Sequence, residues 1–162
     1  MHETIKEGKA VIRIKKAEKI SKEMEVFYNP IMKLNRDISV LLLRQFPPMS
    51  LCDPLAASGI RSIRFAKELK YKSIAINDIN ENSVKSIKNN LKLNSINNKK
   101  IKIYNNDANL FLLNSSGFGY IDIDPFGSSN YYLDAAIKRI SRNGILAVTN
   151  TDTAALTGTY PN

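Results

Sequence analysis

Hydrophobic and polar positions change period several times along this 162-residue chain, and each change marks an element. Residues 4–15 alternate around Ala10-Val11-Ile12-Arg13-Ile14-Lys15, the pattern of an edge strand or hairpin arm with basic residues on one face. At Asn29-Pro30 the chain offers a capping side chain and a proline suited to a first helical position, and the spacing predicts a helix to about residue 45. Ile31, Leu34, Ile38, Leu41 and Leu42 share one face of it, so that face is expected inside and Arg36 on the opposite side. Pro47-Pro48 ends the element.

From Ser50 short apolar runs alternate with helical stretches. Leu51-Cys52 ends a first strand, and the small-residue loop Asp53-Pro54-Leu55-Ala56-Ala57-Ser58-Gly59 opens a helix over 60–69. A second strand over 73–77 carries Asp78 at its tip, and the helix over 81–93 turns Val84, Ile87 and Leu91 inward and Lys85, Lys88 and Lys92 to solvent. The third strand spans 100–104, with Asp107 just beyond it. Ile121-Asp122-Ile123-Asp124-Pro125-Phe126-Gly127 is a buried strand running into a rigid corner, and an ordinary strand-to-helix turn with an Asp cap is an equal reading of it. Leu133, Ala136, Ile137 and Ile140 mark the buried side of the next helix, and a fifth strand follows over 145–149. This rhythm predicts an α/β fold: a parallel, doubly wound, Rossmann-like sheet with helices on both faces, preceded over 1–48 by a hairpin and helix that pack on the 49–162 core.

Composition changes this picture little. Hydrophobic residues at 43% and charged residues at 24% are ordinary globular usage, which excludes disordered and fibrous classes. The net charge of +9, from 24 basic and 15 acidic residues, favours a polyanion such as RNA. Abundant Lys, Ile and Asn weaken that inference, because an A/T-rich genome gives any protein the same bias. No apolar run reaches the roughly 18 residues of a membrane span and no signal peptide is apparent, so a cytoplasmic protein is expected, with no stable protein partner evident. A single cysteine, Cys52, excludes an internal disulfide and is read as a small buried residue, and with one histidine no zinc cluster is expected.

Four acids, Asp53, Asp78, Asp107 and Asp124, fall at successive strand tips. One such acid means little, but four along the carboxyl edge of one sheet describe a pocket for a ligand rich in hydroxyls and amines. Neither a Gly-x-Gly-x-x-Gly fingerprint nor a phosphate-binding Gly-Lys-Ser/Thr loop occurs, so a nucleoside without phosphates fits better than a nucleotide. S-adenosylmethionine is such a ligand. Asp78 suits its ribose hydroxyls, Asp107 its adenine amine, the Ala108 backbone a ring nitrogen, and Arg36 or Arg61 its carboxylate. On spacing alone a surface salt bridge is the favoured reading of each arginine, at about two to one.

Together Phe27-Tyr28-Asn29-Pro30, Asn35-Arg36-Asp37, Asp53 to Arg61, Asn77-Asp78-Ile79-Asn80, Asp124-Pro125-Phe126-Gly127-Ser128 and Val148 to Ala154 resemble the tRNA guanine-N2 dimethyltransferases that act at tRNA position 26. The match keeps the same order over nearly the whole chain. The resemblance implies a class I methyltransferase core, S-adenosylmethionine as methyl donor and tRNA as partner. It also implies Arg36, Arg61, Asp78, Asp107 and Ala108 as cofactor contacts and residues 124–127 as the target-base site. Asn150 stands where the family usually has a small residue, a departure expected to be tolerated. Family members continue past the position of Asn162 through the last strands of the sheet and a further domain, so the chain is expected to be an amino-terminal fragment.

In this reading Asp124 and the Pro125 carbonyl accept the two N–H bonds of the guanine amine, and Phe126 stacks on the extruded base beside Gly127. Phe27 is a candidate for the other face of the base, with core packing an equal alternative. Competing readings are an amino methyltransferase for adenine N6 or for guanine N2 at another site, and a non-catalytic RNA-binding module that retains the fold. The first of these usually has Pro and Tyr where Phe126 and Gly127 stand. A nicotinamide-dependent dehydrogenase lacks its glycine fingerprint here.

Overall fold

The computed structural model describes residues 2–15, 26 and 28–151. An amino-terminal antiparallel hairpin, β1 (His2–Glu7) and β2 (Ala10–Lys15), is joined through a two-residue turn with Gly8 at φ +55°. Ala10, Ile12 and Ile14 point into the core, so the predicted alternation is realised with the apolar face inward. A Cβ on Gly8 would lie 2.3 Å from Glu68 Oε1 and 2.9 Å from Arg64 Nε, so the turn approaches α2 closer than any side chain allows.

After a 3-10 turn (Pro30–Met32) capped by Asn29, α1 spans Lys33–Leu43. Five parallel strands then alternate with helices: β3 (Ser50–Asp53), α2 (Ile60–Glu68), β4 (Ser73–Asn77), α3 (Glu81–Leu93), β5 (Ile101–Tyr104), α4 (Ala108–Leu113), β6 (Phe118–Ile123), α5 (Asn130–Arg139) and β7 (Ile140–Val148). Their order across the sheet is β5-β4-β3-β6-β7, the doubly wound arrangement expected. The chain winds outward in one direction from β3 and in the other from β6, so the carboxyl ends of these two neighbours form the topological switch where such folds bind ligands. No helix among the described residues is long and apolar enough to cross a membrane.

Two apolar layers sandwich the sheet. Hairpin, α1, α2 and α3 close one around Ile12, Ile63, Phe65 and Tyr120, and α4 and α5 close the other around Phe111, Leu112, Ile121 and Ile123. Strand periodicity explains the split along β6: Ile121 and Ile123 face the second layer, while Tyr120, Asp122 and Asp124 alternate to the first. Cys52 is buried, as expected, and burial together with Asp53 and Asp122 pushes its thiol well above the usual range.

Three expectations need correction. The stripe on α1 faces outward: Ile31 is 81% exposed and Leu34 68%, while Arg36, Ser39, Val40 and Leu43 turn inside. The inward seam joins Val40 and Leu43, which enter the core, to Arg36 and Ser39, which serve buried acids on the hairpin and on β6, a demand that helical periodicity does not reveal. Ile137 of α5 is 61% exposed, the buried positions being Ala135 and Ala136, small enough to pack close against the sheet. The short helix α4 was not anticipated. Its start is fixed by Asp107, whose Oδ1 accepts from the Asn109 and Leu110 amides.

Candidate active site

The loop after β3 is built around backbone geometry. Ala57 adopts a left-handed conformation at φ 48° and Gly59 at φ 76°, and a Cβ on Gly59 would meet Ile87 Cγ1 at 2.9 Å. The Ala57 turn aims its amide at Asp78, whose Oδ2 accepts it at 2.7 Å, and the Asn80 amide reaches Oδ1 at 2.8 Å. Strain held at a non-glycine residue in this way accompanies sites that must be pre-formed. Burial raises the Asp78 pKa above its ordinary value, and the amides of Asn80 and Ala57 with the Ser83 hydroxyl offset part of that rise. Two of its neighbours, Asn80 and Ser83, belong to the start of α3, so the loop after β3 and the start of α3 meet at this carboxylate.

On the other side of β3, Arg61 forms the centre of a buried ionic cluster. Its Nη1 donates to Ser39 Oγ at 2.9 Å and lies 2.9 Å from Asp122 Oδ2, and its Nη2 donates to Asn35 Oδ1 at 2.7 Å and to Asp124 Oδ2 at 2.6 Å. Burial disfavours the guanidinium, but Asp122, Asp124 and Asp53 outweigh it and hold the pKa above the ordinary arginine value. Asp122 is raised by burial against the opposing pull of Arg61, and the Tyr120 hydroxyl donates to its Oδ2. Asp53, wholly inside and accepting from Ser62 Oγ at 2.8 Å, is pushed by burial to about 7. Asp124 is the one member of this set of acids that reaches partway to solvent, its side chain 24% exposed.

The corner after β6 is braced by the end of β7. The Thr149 amide donates to Ile123 O at 2.8 Å, the Gly127 amide to Thr151 Oγ1 at 3.2 Å and the Ser129 amide to Asn150 Oδ1 at 3.1 Å. Asn150 thus contributes to the corner. Gly127 takes φ +101°, which L side chains rarely adopt, and this lets the chain turn sharply into α5. Pro125 is buried, and Phe126 stands half-exposed at the rim.

These parts enclose a cavity of about 890 Å³ lined by Arg36, Arg61, Asp78, Asp124, Pro125, Phe126 and Gly127 of the predicted site residues, with Tyr28, Asp53, Ile79, Tyr131 and Tyr132 among the others. Asp107 and Ala108 are not in its lining. They sit at the start of α4, Asp107 as its cap and Ala108 buried. Phe27 and residues 152–154 of the last motif lie outside the described residues. Sequence reasoning missed Asp122 and the bracing role of Arg61. The signal was present, since an Asp within a strand buried on both faces requires a cationic partner. It also missed Glu7, whose carboxylate is bound by Arg36 through Nε at 2.8 Å and Nη2 at 2.7 Å.

Comparison with known proteins agrees with this architecture. The family model described as N2,N2-dimethylguanosine tRNA methyltransferase matches residues 8–162. A tRNA (guanine(26)-N(2))-dimethyltransferase of Methanococcus maripaludis is 43% identical over 96% of this chain and 44% of its own length. A tRNA (guanine(26)-N(2)/guanine(27)-N(2))-dimethyltransferase of Aquifex aeolicus is 42% identical over 98% of this chain and 43% of its own. Trm1 from Pyrococcus horikoshii, solved in complex with S-adenosyl-L-methionine, superposes with a TM-score of 0.89 at 41% identity, over 98% of this chain and 45% of that one. The chain therefore spans somewhat less than half the length of the relatives it matches.

Proposed function

The chain belongs to the N2,N2-dimethylguanosine tRNA methyltransferase family, and from that premise we propose that this protein transfers methyl groups from S-adenosyl-L-methionine to the exocyclic N2 amine of guanine 26 in tRNA. The observation that carries the proposal is the strand-tip acid Asp124, held by Arg61 at 2.6 Å on the wall of a cavity that also contains Asp78 and ends at the exposed ring of Phe126.

The residues present fit the cofactor. Asp78 is a carboxylate fixed by two backbone amides, with acceptor capacity left for the vicinal hydroxyls of a ribose. Ile79, exposed beside it, offers apolar surface to a purine, and Asp107 and Ala108, at the start of α4 and outside the cavity lining, are the proposed partners for its amine and ring nitrogen. Arg36 is the arginine for the carboxylate, since all four Arg61 contacts go to protein acceptors. When bound, S-adenosyl-L-methionine supplies a methyl group made electrophilic by its sulfonium.

The remaining work falls to the chain. The guanine amine is a poor nucleophile because its lone pair is delocalised into the ring. Asp124 and the Pro125 carbonyl accept its two N–H bonds, which favours the pyramidal nitrogen whose lone pair can attack. As the N–C bond forms at the expense of the donor's S–C bond, which leaves a neutral thioether, the nitrogen turns positive until it releases a proton, and Asp124 stabilises that charge more in the transition state than in the ground state. Phe126 stacks on the flipped base, worth about 1–3 kcal/mol against an unstacking cost of a few kcal/mol. Arg61 fixes the Asp124 carboxylate and Asp122 fixes Arg61, so the acceptor is aimed before substrate arrives.

Asp124→Asn separates binding from transfer. Methyl transfer to unmodified tRNA is expected to fall by about 100-fold or more, the typical loss of a transition-state electrostatic contact. The cofactor Kd, measured by calorimetry, should stay within about threefold of wild type. Turnover near the wild-type rate would remove Asp124 from its assigned role.

A further inference from the structure

The hairpin at the start of the chain does more than cover the core. We propose that Glu7 is a positioning residue of the cofactor site, holding Arg36 along its Nε–Nη2 edge so that its remaining nitrogen, Nη1, is presented to the carboxylate of S-adenosylmethionine. This rests on the reading of Arg36 as the carboxylate contact.

Glu7 occupies the last position of β1, at the hairpin tip, and is 1% exposed. Its two oxygens are both engaged. Oε1 accepts from Arg36 Nε at 2.8 Å and Arg64 Nη1 at 3.0 Å, and Oε2 from Arg36 Nη2 at 2.7 Å and the Tyr28 hydroxyl at 3.2 Å. Burial alone would raise the Glu7 pKa, but Arg36 and Arg64 together take it below the ordinary value, so the carboxylate stays charged.

Each other contact of Arg36 also constrains its plane. Nη2 donates to Asn29 O at 3.0 Å, and the guanidinium carbon lies 5.3 Å from the Tyr28 ring centroid. Nε and Nη2 are thereby assigned to protein, while Arg36 contributes to the lining of the cavity. A guanidinium carries five N–H donors in a rigid fork, so fixing one edge fixes the direction of the other. Free to rotate, a side chain of this length would lose rotamer entropy on meeting each ligand; clamped by Glu7, it has already lost it.

The hairpin itself is held for this purpose from the far side. The Lys9 amide donates to Glu68 Oε1 at 3.1 Å, and Arg64 ties Glu68 and Glu7 together. The β1–β2 turn is therefore docked on α2 by the same two acids that frame the arginines.

The test is ligand discrimination in the full chain, read by calorimetry with S-adenosylhomocysteine and methylthioadenosine, two thioether nucleosides of which only the first carries the carboxylate. Glu7→Gln should raise the Kd for S-adenosylhomocysteine by about tenfold and that for methylthioadenosine by less than about twofold. Should Glu7→Gln not fold, Glu7→Asp retains the charge the two guanidiniums require, cannot reach both at once, and carries the same expectation. Equal weakening of both ligands, or of neither, would overturn the proposal, because general loosening of the fold does not distinguish them. Arg36→Lys examines the underlying reading separately. If it leaves the ratio of the two affinities at its wild-type value, Arg36 does not meet the carboxylate. If it lowers the ratio while the Glu7 variants do not, the Arg36 reading stands and the Glu7 role fails.

Discussion

At the scale of single residues, the site is a set of carboxylates differing in what surrounds them. Burial raises the pKa of Asp53 from 3.8 to about 7. A carboxyl whose folded pKa exceeds its unfolded one favours the folded state at low pH, and that contribution is lost as pH rises from about 4 through about 7. Asp53→Asn removes the titration, so its melting temperature relative to wild type should climb over that window, by at least the roughly 3 °C that about 1 kcal/mol produces in a chain of this size. A constant difference between the two proteins from pH 4 to 8 would contradict the burial argument. Asp78 has a different assignment. Asp78→Ala is expected to weaken cofactor binding by about tenfold or more, as loss of a charged hydrogen-bond acceptor does, and an unchanged calorimetric Kd would remove it from the ribose site. The strand-tip acids were legible in the sequence because the tip of a buried strand is a predictable place. Their partners were not. Arg61 stands 61 and 63 positions from Asp122 and Asp124, by the numbering itself, and nothing local in a helix reveals which strand it faces.

At the scale of elements, α1 shows how periodicity can report the right geometry and the wrong face. Its apolar stripe is real, and so is a second stripe of Arg36, Ser39, Val40 and Leu43 that the structure turns inward. The decision between them lies with Glu7 on the hairpin and the acids on β6, buried charges whose lack of a partner would cost more than an exposed row of aliphatic residues. In the 162-residue chain, Ile38→Gln on the outer stripe should therefore change stability by no more than about 0.5 kcal/mol. Arg36→Met, which leaves Glu7 without its main partner, should cost about 3–5 kcal/mol. Urea unfolding of both variants compares them directly, and the reverse order would restore the face expected from periodicity. β4, β5 and α3 followed their sequence patterns closely, because each packs against a continuous apolar layer, whereas β7 begins at Ile140, a position whose spacing assigns it to the preceding helix. α4, at six residues, is shorter than the window in which a helical period can be recognised, and only its Asp107 cap marks it.

At the scale of the whole molecule, a doubly wound sheet brings acids 53, 78 and 124, far apart in the chain, to adjacent strand ends around one cavity. The amino-terminal hairpin and α1 add Glu7, Asn35 and Arg36, so the region preceding the sheet is part of the site as much as of the support. Arrangement, more than any one motif, favours the proposed methyl-transfer site over a strand-to-helix turn with a cap, the two readings that the corner at 121–127 left open. The most direct measurement supplies the protein with methyl-labelled S-adenosyl-L-methionine and unmodified tRNA, digests the product and locates the label by nucleoside mass spectrometry. Label on the N2 atom of guanine 26 is the predicted result; label on another atom, or at positions that exclude guanine 26, would contradict the account.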